Sequence, residues 1–349
     1  MFSKLGFFEK SLLSSAARIF KIGAKYSTTR KYQALKDILP NISKVDLQDV
    51  SKYIALDGVS KTHIMVIGYD YYRNRAEMFR TDCDSLAATS NIERKVKNLP
   101  PQTKIADGCT VSLIEAVHAS STAPVNYFNE PAMFNVDHKP KYYWDGAVTG
   151  NNNPVLAAVV EAKSNVSKYQ FDSIQVLSIG TATTSQLQQD EQAPTKYAEL
   201  KAKYENPGLI NDIKKMGTSI LNDPPDMATF VAYTFLNADM PAKPVDFIRM
   251  NPNLRPIWKE DSNNHFWDLP NGITKEEFLT LHNIDMDALE DAEVALITKL
   301  CDNWMNNLGV PNQAVRSDSK LNTLIGHPNF LVAAADFKSW FSKTPESLP

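Results

Sequence analysis

Residues 144–154, WDGAVTGNNNP, place an aspartate at the mouth of a turn, where its carboxylate is positioned to do chemistry. Asp145 follows a run of aromatic residues and precedes a glycine, and Asn153–Pro154 stands before an apolar run. Asparagine is a favoured N-cap and proline is favoured at the first helical position, so this pair predicts a helix start. Asp145 then lies on a tight loop at the positive end of a helix dipole, where a carboxylate stays ionised and can accept a proton from a hydroxyl.

A structural role for Asp145 explains the same dipeptide, because Asp-Gly is a common turn signal whose carboxylate satisfies backbone amides. Catalysis requires more: a nucleophile within hydrogen-bond reach of the base, and backbone N–H groups aimed at the developing oxyanion. No G-x-S-x-G elbow occurs anywhere in the 349 residues. The sequence therefore supplies a candidate base without a recognisable nucleophile.

Other residues with nucleophilic or acid–base side chains do not complete a site. Segment 216–221, MGTSIL, begins like an elbow at Ser219, but Leu221 takes the second glycine position and the residues before it are helical in pattern. Segment 56–62, LDGVSKT, lacks the further glycines and the arginine of an oxyanion loop. His118 lies in a helix-like segment and, without a serine elbow, fits a structural role better than Ser–His chemistry.

The elements that must position these residues alternate between strand and helix from about residue 60 to residue 185. The expected elements are a helix at 31–39, two strands around a polar turn at 63–81, a helix at 109–124 closed by a proline, and a short buried strand at 174–179. Such alternation is typical of an α/β layer structure with a largely buried sheet. Farther along, the pattern predicts two helices separated at Pro224–Pro225 and a long amphipathic helix over 285–309.

Composition is that of an ordinary globular protein. The chain is 43% hydrophobic and 22% charged, and its net charge of −3 and pI near 6.1 give no electrostatic case for nucleic acid. Three widely spaced cysteines, Cys83, Cys109 and Cys301, predict reduced thiols rather than a disulfide framework or a zinc site. The six histidines show no metal-binding spacing, and no run of 18 apolar residues occurs.

The N-terminal segment, residues 1–31, is rich in Lys, Arg and Ser and contains a single acidic residue, Glu9. This composition fits a transit-like peptide or a basic amphipathic helix that rests on a membrane surface. It also fits a plain surface helix followed by a loop. No convincing secretory signal peptide is present, so cytoplasm is the default location, with signal-independent secretion as the alternative.

Several segments, taken in order along the chain, resemble the patatin-like phospholipase family. WDGAVTGNNNP is similar to the aspartate motif of that family, in which Asp-Gly-Gly or Asp-Gly-Ala precedes Asn-Asn-Pro and a helix, with one extra residue here. EAVHASSTAPVNYFNEP (115–131) is similar to its helix-to-loop segment, and VLSIGTAT (176–183) is similar to its buried strand. The resemblance covers residues 15–235 and is most specific in the aspartate motif and the Ser/Thr-Ala-Pro segment.

The resemblance implies a Ser–Asp dyad that cleaves lipid acyl esters, of phospholipase A or esterase type, without a cofactor or a metal. In that family the serine sits on a G-x-S-x-G elbow, a glycine-rich loop supplies the oxyanion hole, and the aspartate acts directly as general base. By this match Asp145 is the base. The motif residues that support the match are Gly146, Ala147, Asn152, Asn153 and Pro154. The implied substrate is a phospholipid or another acyl lipid, reached through peripheral membrane contact.

The implied fold is a patatin-like three-layer α/β/α arrangement with an incomplete central sheet, because the family's elbow and glycine loop precede the segment that begins here near Met1. Missing strands would leave apolar faces and an unpaired edge. We expect a complementary N-terminal polypeptide, a gap filled by the chain's own N-terminal helix, or a longer parent protein. The expected domains are a partial patatin-like domain over 1–239 and a mostly helical C-terminal region over 240–349.

Three function classes are compatible with these patterns. The first is a patatin-like lipid acyl hydrolase, represented by its Asp-bearing part and inactive alone. The alternative is a non-catalytic lipid- or protein-binding remnant that uses the apolar acyl groove. A purely structural helical interaction protein built on residues 240–349 has support only from amphipathicity.

Overall fold

The computed structural model describes residues 24–50, 62–81, 95–96, 98, 111–124, 127–136, 139–165, 173–203, 206–236, 247–285, 287–313 and 326–342. Within these ranges the protein is a mixed α/β structure. The longer helices are α1 (Thr28–Ile38), α2 (Leu113–Ser120), α3 (Val155–Ser164), α4 (Leu209–Leu236), α5 (Lys275–Asn283), α6 (Asp291–Met305) and α7 (Phe330–Ser342). The strands are β1 (Met65–Asp70), β2 (Arg75–Arg80), β3 (Ala132–Val136), β4 (Lys139–Asp145), β5 (Val176–Ile179), β6 (Thr183–Thr184), β7 (Phe247–Met250), β8 (Asn253–Leu254), β9 (Ile257–Asp261) and β10 (Asn264–Asp268).

The chain divides into two compact units. The first comprises residues 1–154 and 218–225, and the second comprises residues 155–217 and 226–349. The main division between the two units therefore falls at the end of the asparagine-rich turn. Helix α4 contributes residues to both units.

The first unit is built on a four-stranded antiparallel sheet with the order β2–β1–β4–β3. Strands β1 and β2 form the predicted hairpin, in which Asp70 lies opposite Arg75. The Asp70 carboxylate fixes the turn by accepting hydrogen bonds at 2.9 Å from the backbone N–H groups of Tyr72 and Arg73. Aspartate commonly stabilises a turn in this way.

An aromatic core holds this sheet. Phe79, Phe134 and Tyr143 are buried, and their ring centroids lie 4.9 to 6.2 Å apart. Such aromatic pairs add about 0.5–1.5 kcal/mol each beyond the area they bury. At Gly68 of β1 an added Cβ would lie 3.0 Å from the Phe79 ring and 3.4 Å from Ala119, so the glycine lets helix α2 pack closely on the sheet.

Helices α1 and α2 pack against each other, and both begin at side-chain caps. The Ser112 hydroxyl accepts from the Glu115 N–H at 3.2 Å, and the Glu115 carboxylate accepts from the Ser112 N–H at 2.8 Å. This capping box satisfies two otherwise unpaired donors at the helix start. The helix predicted between residue 109 and Pro124 is thereby confirmed, with its described part at Leu113–Ser120.

The second unit combines short parallel strand pairs with a helical core. β5 pairs with β7 and β6 with β8, both in parallel, while β9 and β10 form an antiparallel hairpin. The larger core of this unit contains the buried residues Leu200, Ile248, Leu254, Phe278, Leu300 and Trp304. Helices are present after residue 270 as expected, but the strands β7 to β10 that precede them were not expected from sequence.

Strand β5 is shorter and more exposed than predicted. It begins at Val176, and its side chains at Leu177 and Ile179 are 36% and 71% exposed, whereas Ser178 is buried. The prediction of a buried strand is wrong because, among the described strands, β5 has β7 alone as a neighbour. The helix predicted over 285–309 is confirmed in a shorter form, as α6.

The predicted helix break at Pro224–Pro225 is wrong, because α4 continues through both prolines. Proline has no N–H, so Pro225 leaves the carbonyl of Leu221 without its usual helical donor. Asn152 supplies a replacement, since its Nδ2 donates to the Leu221 carbonyl at 3.3 Å. A side-chain donor from a distant turn thus satisfies the group that the proline leaves open.

Some expectations concern parts of the chain that the structure does not describe. They are the basic N-terminal segment as far as residue 23 and the segment 56–61, which was compared with an oxyanion loop. The cysteines Cys83 and Cys109 also lie outside the described residues. Cys301 lies half-buried on α6 as a free thiol. Of the helices that are described, none has both the length and the apolarity needed to cross a bilayer.

Candidate catalytic site

Asp145 is the last residue of β4 and is held by both its backbone and its side chain. Its backbone N–H donates to the Thr122 carbonyl at 2.8 Å, which ties β4 to the segment after α2. Its carboxylate Oδ1 accepts from the Ala147 N–H at 2.9 Å. That contact begins a short 3-10 turn over residues 146–149, which Gly150 ends with a φ of 78°. The carboxylate is therefore fixed at the entrance of a tight turn.

Gly146 is required by close packing. A Cβ at this position would lie 2.4 Å from the backbone oxygen of Ile67 on β1, a separation that real side chains essentially never adopt. Gly150 is the glycine of this turn that needs a left-handed backbone, and a Cβ there would lie 2.9 Å from the Cβ of Pro224. The turn is thus pressed against β1 at one end and against the prolines of α4 at the other.

The asparagines of the motif hold the turn on these prolines. Asn152 Nδ2 donates to the Leu221 carbonyl and Asn153 Nδ2 donates to the Pro225 carbonyl, each at 3.3 Å. Helix α3 begins directly after Pro154, so the predicted helix start is confirmed to within one residue. The two asparagines therefore make contacts with α4 that their spacing in the sequence did not predict.

A buried lysine lies near the turn. Lys31 on α1 is 0% exposed. Its Nζ donates to the His118 carbonyl at 3.1 Å, to Ser121 Oγ at 3.2 Å and to Thr122 Oγ1 at 2.5 Å. The same nitrogen lies 4.4 Å from the centroid of the Phe128 ring, within the range of a cation–π contact.

Lys31 and Asp145 act on each other's ionisation. Burial lowers the pKa of Lys31 well below its usual 10.5, and the charge of Asp145 opposes this change. Burial also raises the pKa of Asp145, while the hydrogen bond from Ala147 and the charge of Lys31 lower it. The loop position predicts that the carboxylate stays ionised. Burial opposes the ionised form, and the Ala147 hydrogen bond and the Lys31 charge favour it.

His118 is a buried structural histidine, which is the role favoured from sequence. It is 2% exposed and stacks on Tyr32 with ring centroids 4.7 Å apart. Burial, together with the charges of Lys31 and Lys36, lowers the pKa of His118 from 6.5 to about 3. Burial and the nearby Glu115 raise the pKa of Tyr32 to about 12. Both rings therefore stay uncharged at neutral pH.

Within the described ranges, no hydroxyl or thiol side chain hydrogen-bonds to the Asp145 carboxylate. Ser219 is exposed and lies inside α4, whereas an elbow serine follows a strand. The hydroxyls of Ser121 and Thr122 accept hydrogen bonds from Lys31 and donate their own protons to main-chain carbonyls of α2. Their protons are therefore donated to these carbonyls and not to Asp145.

Lys31 was not predicted from sequence, although a signal for it exists. The buried residues of α1 are Thr28, Lys31, Ala34 and Leu35, which lie on one helical face. Lysine is almost never fully buried unless its charge is paired or its donors are satisfied. A lysine on the apolar face of a helix therefore marks a polar network, but its partners come from residues about 90 positions away, as its hydrogen bonds to Ser121 and Thr122 show.

The Gly/Thr turn after β5 forms a separate, closely packed network in the second unit. A Cβ at Gly180 would lie 2.3 Å from Asn251 Oδ1, which also accepts from the Ala182 N–H at 2.8 Å. Ala182 has a φ of 85°, unusual for a residue with a side chain. Buried Arg249 donates to Ser178 Oγ at 2.9 Å. These contacts fix the backbone of the segment that follows β5 against Asn251.

Among the residues with described positions, no group of three or more His, Cys, Asp or Glu side chains is arranged to hold a metal ion. No protein-family model matches the sequence, and no curated protein matches it.

Proposed function

We propose that this chain is the aspartate-bearing part of a patatin-like lipid acyl hydrolase, with Asp145 as the general base of a Ser–Asp dyad. The observation that carries the proposal is the position of the carboxylate, half-buried at the end of β4 and held by a backbone N–H at the start of a tight turn. A base must be fixed in place and still reach the proton it removes. The serine comes from a complementary polypeptide or from a segment outside the 349 residues.

In the proposed reaction, the serine hydroxyl attacks the acyl carbonyl of a phospholipid or another acyl lipid while Asp145 takes its proton. Backbone donors that accompany the serine stabilise the oxyanion. The leaving alcohol then takes the proton from Asp145, and water attacks the acyl-serine with the same residue as base. Because burial raises the pKa of Asp145, its carboxylate is a stronger base than a free aspartate, which suits this role.

Strand β5 supports the accompanying proposal of a three-layer α/β/α fold whose central sheet is completed by further strands. The Gly180 N–H donates to the Met250 carbonyl of β7 at 2.9 Å. Backbone groups alternate along a strand, so the N–H groups of Leu177 and Ile179 face away from β7. Parallel strands are normally covered on both faces, yet these two side chains are exposed. In the proposed fold an added strand pairs with this edge, and helices packed on the completed sheet cover this face.

A non-catalytic lipid- or protein-binding remnant is the second candidate, and the buried charge of Lys31 favours it. A carboxylate that compensates a buried ammonium has a structural reason to be retained without any reaction. In that case Asp145→Asn changes stability but not lipid binding, and no turnover is observed.

Fluorophosphonate labelling of the purified chain tests the first candidate, with adducts read by intact mass and peptide mapping. We expect no adduct on the chain alone, if circular dichroism shows that it is folded. A single adduct that is lost in Asp145→Asn would mean that a serine within the chain completes the dyad, and the mapped peptide would identify that serine. An adduct that is unchanged in Asp145→Asn would contradict the assigned base.

Complementation tests the same site with turnover as the readout. A patatin N-terminal segment that carries the serine elbow and the glycine loop is mixed with the chain, and hydrolysis of a short-chain acyl ester is followed. We expect hydrolysis that Asp145→Asn reduces by roughly 10²–10⁴-fold, the usual contribution of a general base. The matched control is Asp37→Asn, since Asp37 is an exposed residue of α1 that is bonded to Gln33. If no hydrolysis is observed and Asp145→Asn leaves lipid binding unchanged, the result favours a non-catalytic binding remnant.

A further inference from the structure

The Lys31 side chain is a fully buried cation whose hydrogen-bonding groups are individually accounted for. Its Nζ has three acceptors, the His118 carbonyl, Ser121 Oγ and Thr122 Oγ1, at 3.1, 3.2 and 2.5 Å. Three acceptors match the three N–H groups of an ammonium. A neutral amine has two N–H groups and a lone pair, which needs a donor instead.

The two hydroxyls direct their protons to other acceptors. Ser121 Oγ donates to the Val117 carbonyl at 2.6 Å, and Thr122 Oγ1 donates to the His118 carbonyl at 2.5 Å. A carbonyl only accepts, so each hydroxyl proton is directed away from Lys31, and the third partner is itself a carbonyl. With the hydroxyls in these orientations, Lys31 is the donor in all three contacts. The hydrogen-bond pattern selects the ammonium form, although burial in itself disfavours a charge.

Thr122 connects this cation to the candidate base. Its hydroxyl accepts from Lys31 Nζ, and its carbonyl accepts from the Asp145 N–H at 2.8 Å. One residue thus fixes the ammonium and the backbone of the carboxylate together. The chain places a positive charge within electrostatic reach of Asp145. Because Lys31 is fully buried and Asp145 is half-buried, their attraction is screened less than that between two exposed charges.

We propose that Lys31 is a positioning residue for the proposed acyl transfer: its buried ammonium keeps the Asp145 carboxylate ionised and ready to accept the serine proton. This role rests on the proposed function of Asp145 as general base. Lys31 touches neither substrate nor serine and acts through Asp145 alone. Without the cation, the half-buried carboxylate is left with the Ala147 N–H as its described hydrogen-bond donor and is protonated more readily.

The other charged or titratable groups near this pair do not replace Lys31. On α1, Lys36 lies 4.0 Å from the centroid of the Tyr32 ring. Its charge acts on His118, whose imidazole is neutral at neutral pH because burial lowers its pKa to about 3. On α2, Glu115 is held by the capping box, and its charge raises the pKa of Tyr32. Lys36 therefore provides a matched control, since it is a cation on the same helix that lies outside the hydrogen-bond network.

The test follows the titration of the Asp145 carboxyl by ¹³C NMR in the full-length chain, with the resonance assigned through Asp145→Asn. In Lys31→Met, which keeps the shape of the side chain and removes the charge, we expect the titration midpoint to move to higher pH. In Lys36→Met we expect the midpoint to stay at the wild-type value. An unchanged midpoint in a folded Lys31→Met variant would overturn the proposed role of Lys31.

A second measurement needs no substitution and covers the case in which Lys31→Met does not fold. In wild-type protein labelled with ¹⁵N-lysine, the Lys31 Nζ resonance at pH 7 is expected in the ammonium range. Its shift is also expected to show a secondary inflection at the pH where Asp145 titrates. A Lys31 resonance in the amine range at pH 7 would overturn the proposed role directly. Neither NMR measurement needs turnover, so failure of hydrolysis in the complementation assay is separate from failure here.

Activity adds a readout that a merely structural lysine would not move. In the complemented enzyme, Lys31→Met should shift the acid limb of the kcat/KM profile to higher pH, with the optimum rate largely recovered at alkaline pH. Loss of activity by the same factor at every pH would contradict an electrostatic role and indicate a folding defect.

Discussion

Acidification should destabilise helix α2 through His118, and the structure gives the size of the effect. The imidazole is 2% exposed and is surrounded by the Tyr32 ring and the cationic side chains of Lys31 and Lys36. Its Nδ1 is buried without a hydrogen-bond partner among the described residues. Protonation would therefore bury an uncompensated charge, which explains the pKa of about 3 for His118 in the folded state against 6.5 for an ordinary histidine.

The sign of the pH dependence follows from proton counting. Between pH 6.5 and 3 the unfolded state binds a proton at His118 and the folded state does not, so the free energy of unfolding falls as pH falls. Each pH unit well inside this window costs about 1.4 kcal/mol. From pH 7.5 to pH 4.5 the loss reaches roughly 2.5 kcal/mol, and at pH 3 it reaches roughly 4 kcal/mol.

Amide hydrogen exchange of α2, read by mass spectrometry from pH 7.5 to pH 4.5, measures this loss. Any opening that exposes the amides of α2 also exposes His118, which lies on the same helix. In His118→Phe, which keeps the ring stacked on Tyr32, the protection free energy should fall less steeply by roughly 2.5 kcal/mol over the same pH range. The control His265→Gln removes an exposed histidine of β10 and should leave the pH dependence of α2 unchanged.

Equal pH slopes in the wild type and in His118→Phe would refute the assigned cause. A His118 imidazole resonance that titrates with a midpoint near 6.5 would refute it as well, because the ring would then be accessible to a proton without unfolding.

Two further pairs of substitutions test the packing of the two units. Gly146→Ala should destabilise the first unit by about 2–3 kcal/mol, because the new Cβ would meet the backbone of β1 at 2.4 Å, whereas Gly217→Ala, with no atom within 4 Å, should stabilise α4 by about 1 kcal/mol. Hydrogen exchange of the β1 and α4 amides measures both changes in stability. Changes of the same sign for Gly146→Ala and Gly217→Ala would contradict the packing assigned to Gly146. Trp304→Phe should cost the second unit about 2 kcal/mol, because the buried indole N–H donates to Asn312 at 2.8 Å, while the half-exposed Trp258→Phe should cost little. Urea unfolding, followed by hydrogen exchange of the α6 amides, measures the two losses in stability. Similar losses for Trp304→Phe and Trp258→Phe would contradict the hydrogen bond assigned to the Trp304 indole.

Local sequence signals determined several elements of this protein. The polar turn between β1 and β2, the capping box before α2 and the Asn153–Pro154 pair each depend on residues within a few positions of one another. Turns and helix caps form through contacts over that range, so they can be predicted from the sequence. The location of Asp145 at the entrance of a tight turn was predictable for the same reason.

The environment of Asp145 was decided by contacts between distant parts of the chain. A side chain at Gly146 would meet the backbone of Ile67, and the Leu221 carbonyl that Pro225 leaves open accepts from Asn152, 69 positions away. The burial of Lys31 depends on hydroxyls and carbonyls at the end of α2, about 90 positions along the chain. Such partners are set by packing and leave no local pattern.

The sequence by itself therefore determined where the candidate base lies, at the entrance of a tight turn. The tertiary structure alone decided how readily that base ionises, since the pKa of Asp145 depends on burial, on the Ala147 amide and on the charge of Lys31. Burial and charge pairing are properties of side chains that meet only when α1, α2 and β4 pack together. Sequence spacing determines the turn, and packing determines the pKa of the carboxylate within it.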